Sequence, residues 1–464
     1  MVQYRVLTAA AACLALAACA TVYNLPLNKP SANPFARSLA TEANGERRSD
    51  PHSVIIGLSF SGGGTRASAF SFGVLQQLAR TKSPRTGRPL IEDVGIISAV
   101  SGGSITAAYY GLKGEAALTD FRERFLTQDM MAQLNTSINL INVSRALDGG
   151  VNTDNRVRDW LNDHLYGNAT FGDLLARRRP IVLINATDIY SRTPFLFSPL
   201  TFSALCSDIT EYPIAGAVAA SAAVPGAFAP IVVETFPGQC HTPLPEGMIR
   251  AANAPGASPQ LHAFAQALER ARTGQVKYVK LFDGGLADNY GLSGITIARA
   301  SSLTPYGPMR PEEAVSIRRL LFVVVDAGRG PQGNWSQTLE GPTGKDLVGA
   351  VIDTVIDANT RSSYTAFEAT MKNWREELIR WRCHLKREEV AKLRADATGP
   401  WNCRDLKFTI ARVSFEELGG ARAAELNKVP TSFTLPTATV DALIQAGADA
   451  LEANQAYQEF RRDM

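Results

Sequence analysis

The chain has 464 residues, enough for two or three domains of about 150 residues or one large domain with an appendage. Hydrophobic residues make up 45% and charged ones 20%, which excludes a mainly disordered, collagenous or coiled-coil chain. Lys and Arg (47) nearly balance Asp and Glu (44), and the net charge of +3 gives no footprint for nucleic acid.

Arg5 is followed by an Ala-rich apolar run from Val6 to Ala20, shorter than the roughly 18 residues of a spanning helix, so it reads as a signal peptide. The run ends Leu16-Ala17-Ala18-Cys19, which resembles the lipobox of bacterial lipoproteins. That resemblance implies removal of residues 1–18, lipidation of Cys19 as the new N-terminus and, with Ala20 following, sorting to the outer membrane of the cell envelope. An ordinary cleaved signal with an incidental cysteine is the competing reading. From Thr21 to Asp50 the sequence is rich in Pro, Asn, Ser and Ala without a period, so residues 19–50 are expected to form a lipidated N-terminus and flexible tether. Past Cys13 and Cys19, Cys206, Cys240, Cys383 and Cys403 remain. Their closeness in sequence favours the disulfides Cys206–Cys240 and Cys383–Cys403 in an exported protein, against buried free thiols. His241 and His384 sit directly beside cysteines and no zinc-finger spacing occurs, so no metal site is expected.

Ser53 to Phe60 is a short β-branched run, followed by Ser61-Gly62-Gly63-Gly64-Thr65-Arg66 and then helical spacing at Phe70, Val74 and Leu78. Val94 to Val100 repeats the pattern, running into Ser101-Gly102-Gly103-Ser104 and a helix-compatible ITAAYYGL. Two strand–turn–helix units predict an α/β fold with a mainly parallel sheet and helices on both faces. Pro180–Asn185, Tyr278–Phe282 and Leu320–Val325 are further candidate core strands. Residues 119–179 read as a helical insertion in a domain spanning 51–330, and residues 331–464 as a mainly helical C-terminal region. There, Leu347, Val351 and Val355 form one apolar stripe and Val348, Ile352 and Ile356 the next, leaving core, lid and membrane contact open as roles.

Chemistry is expected at the two glycine turns. A strand, glycines and a helix N-terminus point several backbone N–H groups at one spot and bind an anion or oxyanion there. Gly62-x-Gly64-x-x-Ala67 formally fits a dinucleotide fingerprint, but the acidic residue about 20 positions on is missing, and no P-loop ending follows. Ala99-Val100-Ser101-Gly102-Gly103 fits the nucleophile elbow G-x-S-x-G with Ala in the first position, between strand and helix as the motif requires. Asp283-Gly284-Gly285 follows a candidate buried strand, which puts a carboxylate at a strand C-terminal end. Only His384 follows Asp283, in a charged helical stretch, whereas His52, His164, His241 and His262 precede it, so a Ser–Asp dyad is the economical reading.

With SGGGTRA at 61–67, AVSGGS at 99–104, AASAAVPGAFAPI at 219–231 and DGGLADNYG at 283–291, the chain resembles the patatin-like phospholipases over Ser53–Gly291. The resemblance implies a three-layer α/β fold with Ser101 as nucleophile, Asp283 as general base, oxyanion-hole amides from Gly62, Gly63 and Gly64, and a loop beside the site at Pro225–Phe228. Ala67 and Ala99 depart from the family's glycines by the smallest substitution. Arg66 would position the glycine loop or a substrate phosphate, or be an ion-paired arginine. Asp288 and Asn289 would order the loop after Asp283. The expected activity is acyl-ester hydrolysis of phospholipid or lysophospholipid through an acyl-enzyme, without metal or organic cofactor, by an enzyme held at the membrane through its lipid anchor. The alternatives are an acyltransferase with the same dyad and a noncatalytic outer-membrane lipoprotein with a binding role.

Overall fold

The computed structural model describes residues 24–34, 54–134, 154–177, 179–225, 228–254, 258–330, 333–394 and 401–464. The signal segment 1–18 and Cys19 lie outside them, as do Gly226 and Ala227. The runs VIIGLSF and VGIISAV form β1 (Val54–Phe60) and β2 (Val94–Val100), and each passes through a glycine turn into a helix, α1 (Gly64–Arg80) and α2 (Gly102–Lys113). With β3 (Ile181–Asp188), β4 (Thr193–Phe197), β5 (Ile231–Glu234), β6 (Tyr278–Asp283), β7 (Arg319–Val325) and β8 (Lys407–Val413) they build one eight-stranded sheet. Its order is β5-β6-β3-β2-β1-β7-β8, with β4 paired to β3. The strands from β3 through β8 along that order are mutually parallel, and β4, β5 and β6 join antiparallel. Helices cover both faces, as the near-continuous apolarity of β1 and β7 requires.

The register of β3 brings distant strand ends together. β3 pairs with β2 through Ile181–Asn185 and with β4 through Ile184–Asp188, which takes up both of its edges. β6 pairs with Ala186–Asp188, so it continues along the edge that β2 leaves. Val100 therefore stands opposite Asn185 and Asp283 opposite the next residue, Ala186. α3 (Ile214–Ser221) ends behind this junction, and the single turn α4 (Gly285–Asp288) follows β6 directly.

Residues after 330 share the sheet and its core. β8 pairs with β7 over its whole length, in a stretch read from the sequence as mainly helical. The 41-residue helix α5 (Gly344–His384) packs Phe367, Met371, Trp374 and Leu378 beneath Leu320 and Phe322. α6 (Thr437–Ala453) lies so close to α1 that a Cβ on Gly73 would stand 1.9 Å from the Ile444 carbonyl oxygen, and one on Gly447 2.0 Å from that of Phe70. Leu58, Phe70, Leu443 and Phe460 accordingly belong to one cluster.

One expectation needs correction. Residues 24–34, placed within a flexible tether, are docked along β5. The Asn28 side chain donates to the Glu234 carbonyl at 2.8 Å and accepts the Glu234 N–H at 2.9 Å, imitating a strand partner on an otherwise open edge. The polar composition that suggests solvation instead satisfies backbone groups. Disulfides join Cys206 to Cys240 and Cys383 to Cys403. Among the described residues no helix is long and apolar enough to cross a membrane.

Candidate active site

Ser101 sits between β2 and α2 with φ 51° and ψ −125°, a conformation that L residues rarely adopt outside functional sites. The sharp turn projects its hydroxyl beyond the sheet, where Oγ donates to Asp283 Oδ2 at 2.8 Å. The turn is held from behind: Ser101 N–H donates to Ser221 Oγ at 2.8 Å, Ser104 Oγ donates to the Ser101 carbonyl at 2.6 Å, and Asn185 Nδ2 donates to the Ala99 carbonyl at 2.9 Å. Ser221 in turn donates to the Asn185 carbonyl at 2.6 Å.

Asp283 ends β6, and its other carboxylate oxygen, Oδ1, accepts the Gly285 N–H at 2.8 Å. Burial raises its pKa to about 6, against the opposing pull of the hydrogen bonds from Gly285 and Ser101. Desolvation thus dominates, because among the described residues no cation stands beside the carboxylate to offset it. Among the described residues no histidine is hydrogen-bonded to either Ser101 or Asp283. His384 lies on the exposed end of α5, where Nδ1 meets the Arg380 carbonyl of its own helix at 2.7 Å.

The glycine turn faces Ser101, but its three amides are not equivalent. Gly62 N–H donates to Asn289, to the backbone carbonyl at 3.1 Å and to Oδ1 at 3.2 Å. It is therefore already occupied, which corrects the expectation that Gly62 serves an oxyanion alongside Gly63 and Gly64. Gly63 and Gly64, with φ 138° and 62°, have no acceptor for their N–H groups among the described residues. A Cβ on Gly102 would lie 2.0 Å from the Gly64 carbonyl oxygen, so the first residues of α1 and α2 touch. Two helix N-termini then converge beside one hydroxyl, adding positive potential where negative charge would develop.

Arg66 is buried, not open to a substrate phosphate. Its Nε donates to the Ala327 carbonyl at 2.8 Å, and Nη1 to the Val429 carbonyl at 2.8 Å and Thr431 Oγ1 at 3.2 Å. Burial first, and then the charge of Arg329, pulls its pKa down to about 9. It clamps the loops after β7 and before α6 beneath the glycine turn. Asp288 accepts the Tyr290 N–H at 3.2 Å and also the Ser293 N–H, ordering the segment that carries Asn289. Tyr290 hydroxyl donates to Asp326 Oδ2 at 2.6 Å, and Arg412 of β8 holds the same oxygen at 3.2 Å. Sequence reasoning gave neither Ser221 nor Asn185 a role, although Ser221 lies in the 219–231 block; both act through the backbone of Ser101 and its strand. Pro225 forms a bridge with Phe228, and Ala223, two residues before Pro225, accepts the Asp283 N–H at 2.9 Å. Among the described residues no group of three or more His, Cys, Asp or Glu could hold a metal ion.

The model of the patatin-like phospholipase family matches residues 58–294, more than half of the chain, and the protein belongs to that family. Among solved structures, human GIVD cytosolic phospholipase A2 is similar at 14% identity and a TM-score of 0.31, covering 59% of this chain and 43% of that one. This chain thus spans less than half the length of that protein. No protein of curated function matches the sequence.

Proposed function

We propose that the protein is a phospholipase- or lysophospholipase-type carboxylic-ester hydrolase that works through a Ser101–Asp283 dyad and an acyl-enzyme. The observation that carries this reading is the 2.8 Å hydrogen bond from Ser101 Oγ to a buried, desolvated carboxylate, made from a left-handed elbow. In the proposed mechanism Asp283 takes the hydroxyl proton as Oγ attacks the ester carbonyl. The amides of Gly63 and Gly64 receive the tetrahedral oxyanion; loss of one such donor typically costs about 100- to 1,000-fold in turnover. The proton on Asp283 then goes to the leaving alcohol. Water, deprotonated by the same carboxylate, frees the acyl group and restores Ser101. The mechanism calls on no cofactor.

We further propose that the signal is cleaved before Cys19 and that lipid on this cysteine anchors the protein to the outer membrane of a bacterial envelope, where acyl lipids are at hand. The test is hydrolysis of p-nitrophenyl butyrate and of phospholipid vesicles by the full chain and its Ser101→Ala, Asp283→Asn and His384→Ala variants, each shown to be folded. The dyad requires background rates for the first two and near wild-type rates for the third. Loss of activity in His384→Ala would replace the dyad by a triad. Acyl transfer to an added alcohol in preference to water would make the protein an acyltransferase, and inactivity of the folded wild type on every ester would leave a binding role.

A further inference from the structure

The segment between β7 and the buried part of α5 leaves the body at the site and returns to it there. β7 ends opposite the end of β1, and just beyond it Ala327 N–H donates to Ser61 Oγ at 2.9 Å while its carbonyl receives Arg66. The chain returns where Asn359 Nδ2 donates to the Leu286 carbonyl at 2.6 Å, three residues past Asp283. Between these two points none of the described residues of α5 before Thr360 is buried. Its apolar stripe, Leu347, Val348, Val351 and Val355, is exposed, Val348 at 60%, and Trp335 and a fully exposed Leu339 precede it. At 100° per residue the opposite side of this stretch carries Asp346, Asp353 and Asp357.

An independent feature says what covers this face. Asn24 is fastened to the Ala229 and Pro230 carbonyls at 3.2 and 3.0 Å, at the start of β5. There Ile231 pairs with Leu281, two residues before Asp283. Cys19 precedes Asn24 by five residues, a stretch that spans at most about 18 Å when extended. A lipid on Cys19 would therefore tie the Asp283 end of β6 close to a bilayer.

We propose that the apolar face of the first turns of α5, together with Trp335 and Leu339, rests in the surface of a lipid bilayer and presents the mouth of the Ser101 site to it. This rests on the lipid-hydrolase reading and on lipidation of Cys19. An interfacial helix normally carries Lys or Arg on its polar side. Here that side is acidic, so attachment depends on apolar burial, persists at high salt and shows no preference for anionic lipid.

The full chain is mixed with phosphatidylcholine vesicles whose acyl chains are plain or brominated, and its tryptophan emission is compared with that of Trp335→Phe. The Trp335 contribution should be quenched at least about twofold by bromine. In a second arm, Val348→Asp/Val351→Asp should lower phospholipid hydrolysis on vesicles about tenfold or more while p-nitrophenyl butyrate hydrolysis changes less than about twofold. Unquenched Trp335 together with unchanged vesicle rates overturns the proposal. So does a sedimentation shift from dimer to monomer in the double variant without loss on vesicles, which would assign the face to a second copy of the chain. If wild type hydrolyses neither substrate, the chemistry proposed above fails, and the quenching alone still decides the docking.

Discussion

Ser221 Oγ accepts the Ser101 N–H at 2.8 Å and donates its own hydrogen bond to the Asn185 carbonyl at 2.6 Å, so one hydroxyl ties the elbow to β3. All three groups are buried. In Ser221→Ala the Ser101 N–H and the Asn185 carbonyl both lose this partner, and leaving a buried group unsatisfied costs about 1–3 kcal/mol. Because the strained φ of Ser101 depends on that support, the expected outcome is a fall in kcat of about tenfold or more with a smaller change in KM. Steady-state kinetics on a soluble ester, beside a melting curve, checks it. Wild-type kcat in the variant would mean that the elbow stands without this support.

Arg66 supplies a sharper distinction between holding the fold and binding substrate. Arg66→Lys keeps a charge but cannot span Ala327, Val429 and Thr431 at once, since an ammonium lacks the planar fork. The glycine turn above it should loosen, so activity on an uncharged p-nitrophenyl ester and on phospholipid should fall by the same factor, with a lower Tm. A selective rise in KM for the phospholipid alone would return Arg66 to the role of a phosphate ligand.

The buried carboxylate of Asp283 makes a prediction about pH in two directions. As general base it must be ionised, so kcat/KM should rise with pH through about 6 and level off above. Stability runs the other way. A carboxyl whose pKa is raised from 3.8 to about 6 on folding holds its proton more tightly in the folded chain. Its contribution is then full below 3.8 and lost as pH climbs through about 6, a penalty of roughly 3 kcal/mol at pH 8. Asp283→Asn removes the charge and keeps the shape. The inactive variant should melt several degrees above wild type at pH 8 and level with it near pH 4. Equal Tm values at both pH values would show that the carboxylate is not desolvated as its burial implies.

Local patterns carried the reading of Ser101 and Asp283 because each stands at the end of an apolar run, where strand periodicity and turn chemistry are written within ten or so residues. The rest of the site depends on partners far along the chain. Asn289 captures the Gly62 amide across 227 positions, and Ser221 reaches Ser101 across 120. No spacing announces either. The strands missed from sequence are weak for separate reasons: β5 has only four residues, β4 carries Pro194, and β8 bears Lys407 and Arg412 on an edge strand with a wet face. Asn24 and Asn28 show the same limit, since an amide that imitates a backbone partner has the composition of a solvated linker.

Contact between the two glycine turns leads to the last prediction. A Cβ added to Gly102 would meet the Gly64 carbonyl oxygen at 2.0 Å and the Gly64 nitrogen at 2.7 Å, both backbone atoms that cannot swing aside. Gly64 is itself boxed in, because a Cβ there would lie 2.4 Å from the Ser432 carbonyl oxygen, to which Thr65 N–H donates at 2.8 Å. Gly102→Ala must therefore push the Gly63–Gly64 amides away from Ser101. If these two amides receive the oxyanion, kcat should fall about 100-fold or more while binding of a substrate ester weakens far less. Gly87→Ala is the control: its φ is positive, but nothing lies within 4 Å of its Cβ position, so it should cost some stability and leave turnover alone. A Gly102→Ala protein that folds and turns over like wild type would move the oxyanion site away from the glycine turn.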